Sequence, residues 1–223
     1  MRRLEAGALM VAVSLAWYGS FLYAPTERVM GQVQRIFYVH LGLWGAALLA
    51  FLVTFLSGIQ YLRVREAYWD ELAGASAEIG VLFNGLVILT GAVWAKPTWG
   101  VWWTWEPQLT STLLQQLVYL GYLVLRAVSE GDRARRLAAV VGILAFLNLP
   151  LVFFSVRLLR GVHPVVFGPD PAGRPTGVEP AMVHALGVTS FAFVLLYSAL
   201  VRLRLRIGIL EGAVRALRME LNG

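Results

Sequence analysis

Three histidines, a cluster of tryptophans and a complete absence of cysteine mark where this chain can do chemistry. His40 lies in RIFYVHLGLW, His163 in RGVHPVVF and His184 in PAMVHALG. The stretch KPTWGVWWTWEPQLT carries Trp99, Trp102, Trp103 and Trp105, half of the eight tryptophans, with Trp94 just before it. Without a thiol, disulfides, thiolate metal sites, iron–sulfur clusters and thiol nucleophiles are excluded. Any metal or redox role must run through histidine, carboxylate or methionine. Two neutral imidazoles on opposite faces of a flat macrocycle are a common ligation of haem iron. Indole faces with N–H edges suit a planar, partly apolar ligand. A single histidine is more often packed or interfacial, and tryptophans form belts at membrane interfaces. Four rings in one short loop, interrupted by Gly100 and closed by Glu106-Pro107, read better as a ligand platform than as a belt.

The elements that position these residues are membrane spans. Of 223 residues, 58% are hydrophobic and 14% charged, against about half and a quarter in a soluble domain. A spanning helix needs about 20 mostly apolar residues. Six windows qualify, roughly 5–23, 37–62, 75–95, 110–126, 137–156 and 182–202, the fourth being the shortest. The expectation is an all-α, polytopic membrane protein of six transmembrane helices, forming one membrane domain over residues 1–223. The first apolar stretch follows Met1-Arg2-Arg3 without a clean small-residue cleavage site and reads as a retained helix.

With both termini cytoplasmic, the inner segments hold Arg2, Arg3, Arg63, Arg65, Arg126, Arg133, Arg135, Arg136, Arg202, Arg204, Arg206, Arg215 and Arg218. The outer segments hold Arg28, Arg35, Lys96, Arg157, Arg160 and Arg174. This is the positive-inside asymmetry, so the net charge of +6 is an orientation signal and not a sign of nucleic-acid binding. The outer loops are then about 24–36, 96–109 and 157–181, and all three histidines land on the outer side with the tryptophans. The tail 203–223 places Ile207, Leu210, Val214 and Leu217 on one face, as in an amphipathic helix lying on the inner leaflet. Glu78 is expected near the inner end of its helix within reach of water. Asn84 and Asn148 are expected to bond between helices. No row of charges marks an ion path.

WAKPTWGVWWTWEPQLTSTLL resembles the WWD signature of the haem-handling protein family of cytochrome c maturation. RIFYVH before the second span and NLPLVFFSV in the fifth are similar to that family too. Length, span number and loop position resemble its CcmC-type (haem exporter protein C) branch, whereas the CcmF-type and CcsA-type relatives carry more spans. In the signature, Trp99, Gly100, Trp102, Trp103, Trp105, Leu109 and Thr110 match; Glu106 stands at the family's aspartate and Gln108 at a usually basic position.

The resemblance implies a protein that holds haem b non-covalently at the outer face of the bacterial inner membrane. His40 and His163 would be the axial ligands, with Trp99, Gly100, Trp102, Trp103, Trp105 and Glu106 contacting the macrocycle and His184 as a second candidate. Arg28, Arg157 or Arg160 would pair with a propionate, since arginine pairs carboxylates bidentately. It further implies delivery to a periplasmic CcmE-type haem chaperone, beside the ABC transporter components CcmA and CcmB and the small subunit CcmD, with no enzymatic step. The alternatives are a CcsA-like haem lyase component, which goes with longer chains and large outer domains, a structural membrane subunit without cofactor, and a quinone-linked redox subunit. For the last, no second pair of histidines is present.

Overall fold

Long apolar runs leave no water to satisfy the backbone, so each run closes its hydrogen bonds within itself as a helix. The computed structural model describes residues 3–129, 131–159, 163 and 178–222. Helix α1 spans Arg3–Tyr18 and ends in a π-turn, Gly19–Tyr23. A short connection capped by Glu27, whose carboxylate accepts from Val29 N–H at 2.8 Å, leads through a 3-10 turn, Gln32–Arg35, into α2, Ile36–Val64. The remaining helices are α3 (Ala67–Trp99), α4 (Pro107–Val128), α5 (Gly131–Phe146), α6 (Asn148–Leu158) and α7 (Pro180–Asn222).

The helices account for all six sequence windows. α5 and α6 are two halves of one span, interrupted at Leu147. Pro150 has no N–H to offer the carbonyl four residues back, which explains the break at this point. Five spans are apolar enough to cross a membrane by length and hydropathy. The sixth, α4, is long enough at 22 residues, about 33 Å at 1.5 Å per residue, but carries a polar face. Leu114, Leu117, Leu120 and Val124 are exposed on its outer side, where lipid is the natural neighbour.

The polar face of α4 is used for packing. Asn84 on α3 donates to Gln116 Oε1 at 2.9 Å, and Asn148 on α6 donates to Gln115 Oε1 at 2.7 Å. The two asparagines therefore bond between helices, as their depth suggested. α2 and α3 form the centre of the bundle, where Ala46, Ala47, Ala50, Ala75 and Ala77 let the backbones approach closely. A Cβ on Gly80 would lie 2.7 Å from the Phe51 ring, so that contact needs glycine.

The inner end is tied by charge. Arg126 forks onto both oxygens of Asp70, with Nη2–Oδ2 at 3.1 Å, and Arg135 lies 3.8 Å from the same carboxylate. Arg204 pairs Glu78 through Nε at 2.6 Å and Nη2 at 3.0 Å. Glu78 thus sits beside a cation at the inner end and remains partly open to solvent. The tail is the unbroken continuation of α7, whose 43 residues make a rod about 65 Å long.

Candidate functional site

At the opposite end from these ion pairs, α2, α3, the start of α4 and His163 enclose a cleft of about 960 Å³ of atom-free space, its open mouth included. His40, Trp44, Gly91, Trp94, Trp99, Trp103, Gln108 and His163 are among its walls.

His40 is held by α2 and by one face of α3. Its Nδ1 lies 3.0 Å from Thr90 Oγ1. The ring meets Trp94 edge-on with centroids 5.9 Å apart. Gly91 leaves it room, because a Cβ there would stand 3.1 Å from His40 Cε1. Thr90, Gly91 and Trp94 recur at helical spacing, so one stripe of α3 shapes the whole environment of this imidazole.

His163 comes from the third outer loop. Its backbone N–H donates to Glu106 Oε2 at 3.2 Å, and its Nδ1 is 3.4 Å from Glu106 Oε1. Trp99 meets the His163 ring edge-on at 5.9 Å. Glu106 is also the N-cap residue of α4, followed by Pro107 at the first helical position, where a missing N–H costs nothing. A single turn therefore starts α4 and anchors the histidine.

The tryptophan segment divides in two. α3 runs on through Lys96, Pro97 and Trp99 before Gly100, with φ of 79°, ends it by donating its N–H to Lys96 O. The non-helical part is consequently only residues 100–106. Trp99 and Trp103 line the cleft. Gly100 makes the turn, and Trp102 and Trp105 are exposed, Trp105 with 76% of its surface open. Trp103 and Trp105 pack edge to face at 5.8 Å.

His184 is elsewhere. Its Nδ1 lies 3.2 Å from Tyr23 Oη at the junction of α1 and α7, and it is not among the cleft's lining residues. Arg28 is exposed; the Arg157 side chain and Arg160 lie outside the described residues. Trp44, Gly91 and Thr112 also line the cleft, and Thr90 touches His40; motif reading did not place them there. Trp44 was detectable as the residue one turn after His40, and the α3 stripe as a run of small residues leading up to Trp94.

The walls present flat aromatic faces with few polar groups, and four of those polar atoms are buried without a hydrogen-bond partner: Trp94 Nε1, Trp103 Nε1, Gln108 Oε1 and His163 Nδ1. Buried polar atoms are normally satisfied, so these atoms are free to bond with whatever enters the cleft. No group of three or more histidine or acidic residues able to hold a bare metal ion occurs among the described residues. His40 and His163 are the cleft's two imidazoles and the side chains that could hold a cofactor there.

A membrane-embedded helical bundle with a tryptophan- and histidine-lined cleft at its outer end is the class that these features define. Residues 2–220 match the family model described as heme exporter protein C, and the chain belongs to that family. It is 33% identical over 215 residues to the heme exporter protein C of Bradyrhizobium diazoefficiens, covering 96% of this chain and 81% of the relative. The heme exporter protein C of Escherichia coli (strain K12) is 28% identical over 204 residues, 89% of this chain and 80% of its own length. A ccmC-like mitochondrial protein of cytochrome c biosynthesis from Marchantia polymorpha is 30% identical over 150 residues, 67% of this chain and 64% of its own. The chain is thus a multi-pass inner-membrane member of the haem exporter C family.

Proposed function

We propose that this protein holds haem in the outer cleft between His40 and His163 and passes it to a periplasmic haem chaperone of the CcmE type during cytochrome c maturation. The observation that carries the reading is the presence of both histidines on one aromatic-walled cleft, while the third histidine lies outside it. CcmA, CcmB and CcmD are the expected companions within the same export system. The role is transport and delivery; with residues 100–106 as the whole non-helical part of the tryptophan segment, nothing there resembles a domain that would seat an apocytochrome.

Haem is cargo here and must leave as well as enter. The two ligands are placed unequally for that. His40 is buried against α3, whereas His163 belongs to a loop and leaves 20% of its side chain open. Release therefore begins at His163, with the Glu106 carboxylate holding the freed imidazole in place. Trp99 and Trp103 keep water from the cleft wall, and the exposed Trp102 and Trp105 offer an aromatic edge to the receiving protein.

The test is the absorption spectrum of detergent-purified protein reconstituted with haemin. Wild type should give the sharp reduced α and β bands of six-coordinate low-spin iron. His40→Ala and His163→Ala should each lose them, and His184→Ala should not. A colourless wild type after added haemin, or histidine variants with unaltered spectra, would sink the reading.

A further inference from the structure

We infer that Thr90 is a positioning residue that fixes the tautomer of His40, so that Nδ1 carries the proton and Nε2 presents a free lone pair to the cleft. The inference rests on the reading of His40 as an axial ligand and adds how that ligand is prepared. A threonine hydroxyl has one hydrogen to give. Thr90 Oγ1 lies 2.8 Å from Leu86 O and 3.2 Å from Val87 O. Carbonyl oxygens only accept, and a hydroxyl hydrogen given to the preceding turn of α3 is the usual back-bond of a threonine inside a helix; Thr90 is taken to make that bond. What remains on Oγ1 is a lone pair, and His40 Nδ1 stands 3.0 Å from it. A second lone pair on Nδ1 would face that oxygen with nothing between them. With the back-bond made, Nδ1 is the donor.

The consequence for chemistry is direct. Neutral imidazole carries one N–H, so protonation at Nδ1 leaves Nε2 bare. Histidines that bind metals commonly donate their other N–H to a neighbouring group, which orients the ring and raises ligand basicity. Thr90 does this from within the helix that also supplies the space at Gly91 and the edge contact at Trp94. The hydroxyl is neutral, while His163 faces the carboxylate of Glu106. The cleft thereby prepares its two imidazoles by different means.

The experiment uses haem-free, ¹⁵N-histidine-labelled protein in detergent micelles, read by long-range ¹H–¹⁵N correlation, which distinguishes the two tautomers. Only three histidines contribute, and His40→Ala identifies the signal. Wild type and Thr90→Ser should show His40 protonated at Nδ1, and Thr90→Val should shift it toward the Nε2–H form. After haemin loading, exogenous imidazole should displace His40 about tenfold more readily in Thr90→Val than in wild type or Thr90→Ser, the size usual for losing an outer-shell partner. An Nε2–H tautomer in wild type overturns the inference without any variant. So does a Thr90→Val protein with unchanged tautomer and unchanged displacement, provided His40→Ala has lost the low-spin bands. If His40→Ala keeps those bands, the axial reading itself falls and Thr90 loses its ligand-positioning role with it.

Discussion

Replacing Gly91 with alanine should strengthen a helix and weaken a ligand site at the same time. Glycine in a helix interior is about 1 kcal/mol less favourable than alanine, so Gly91→Ala gains on backbone grounds. The added Cβ would stand 3.1 Å from His40 Cε1, inside the 3.5–4.0 Å optimum for carbon pairs. The imidazole must retreat by about 0.5 Å or turn away from its rotamer, at roughly 0.5–1.5 kcal/mol. Those two terms nearly cancel in the haem-free protein. Ligation does not tolerate the same movement, because a constellation works within about 0.5 Å of its productive geometry. Haemin affinity should fall about tenfold or more, which is at least about 1.4 kcal/mol, while the melting temperature stays within a few degrees. Gly45→Ala is the control: nothing lies within 4 Å of its Cβ, so it should stabilise without touching affinity. The assay is a Soret-band haemin titration beside thermal unfolding in the same detergent. If Gly91→Ala binds haemin as tightly as Gly45→Ala, the placement of His40 against α3 is wrong.

Two further outcomes follow from the same geometry. Glu106→Gln keeps an acceptor for the His163 N–H but removes the negative charge beside Nδ1; it should loosen His163 by about tenfold in imidazole displacement and leave His40 unaffected. Arg126→Leu strips Asp70, 4% exposed, of its forked partner and leaves only Arg135 at 3.8 Å. A buried charge that loses its partner costs about 3–5 kcal/mol, so the variant should unfold far more easily in detergent, and adding Asp70→Asn should recover most of the loss.

The six spans were legible because hydropathy and length are nearly sufficient in a membrane. The histidines were legible because their types are rare here and their positions follow from span parity. Helix ends were harder. Pro97 reads as a helix breaker, yet α3 carries it in its last turn and stops only at Gly100, where a left-handed residue is required. The split of the fifth span at Leu147 depends on one missing N–H, which does not alter the hydropathy of the window. The tail looked separate because its hydropathy changes after Arg202, but a change of solvent does not end a helix that has no breaker, and α7 continues to Asn222. Thr90 and Gly91 are visible in the sequence only as small residues leading up to Trp94. Their meaning depends on which face of α3 meets His40, a fact of packing and not of spacing along the chain.

The polar face of α4 has a bearing on how that span is kept in lipid. Gln115 and Gln116 would enter lipid at a cost if α4 met the bilayer alone, and this is the one span that falls short on hydropathy among the described helices. Asn84, on the helix just before it in the chain, donates to Gln116, whereas Gln115 takes its donor from Asn148 later in the chain. α3 thus supplies partners for α4's polar face from within the chain. The two helices and the tryptophan turn between them form one hairpin, and a polar face that lipid would penalise is met inside it.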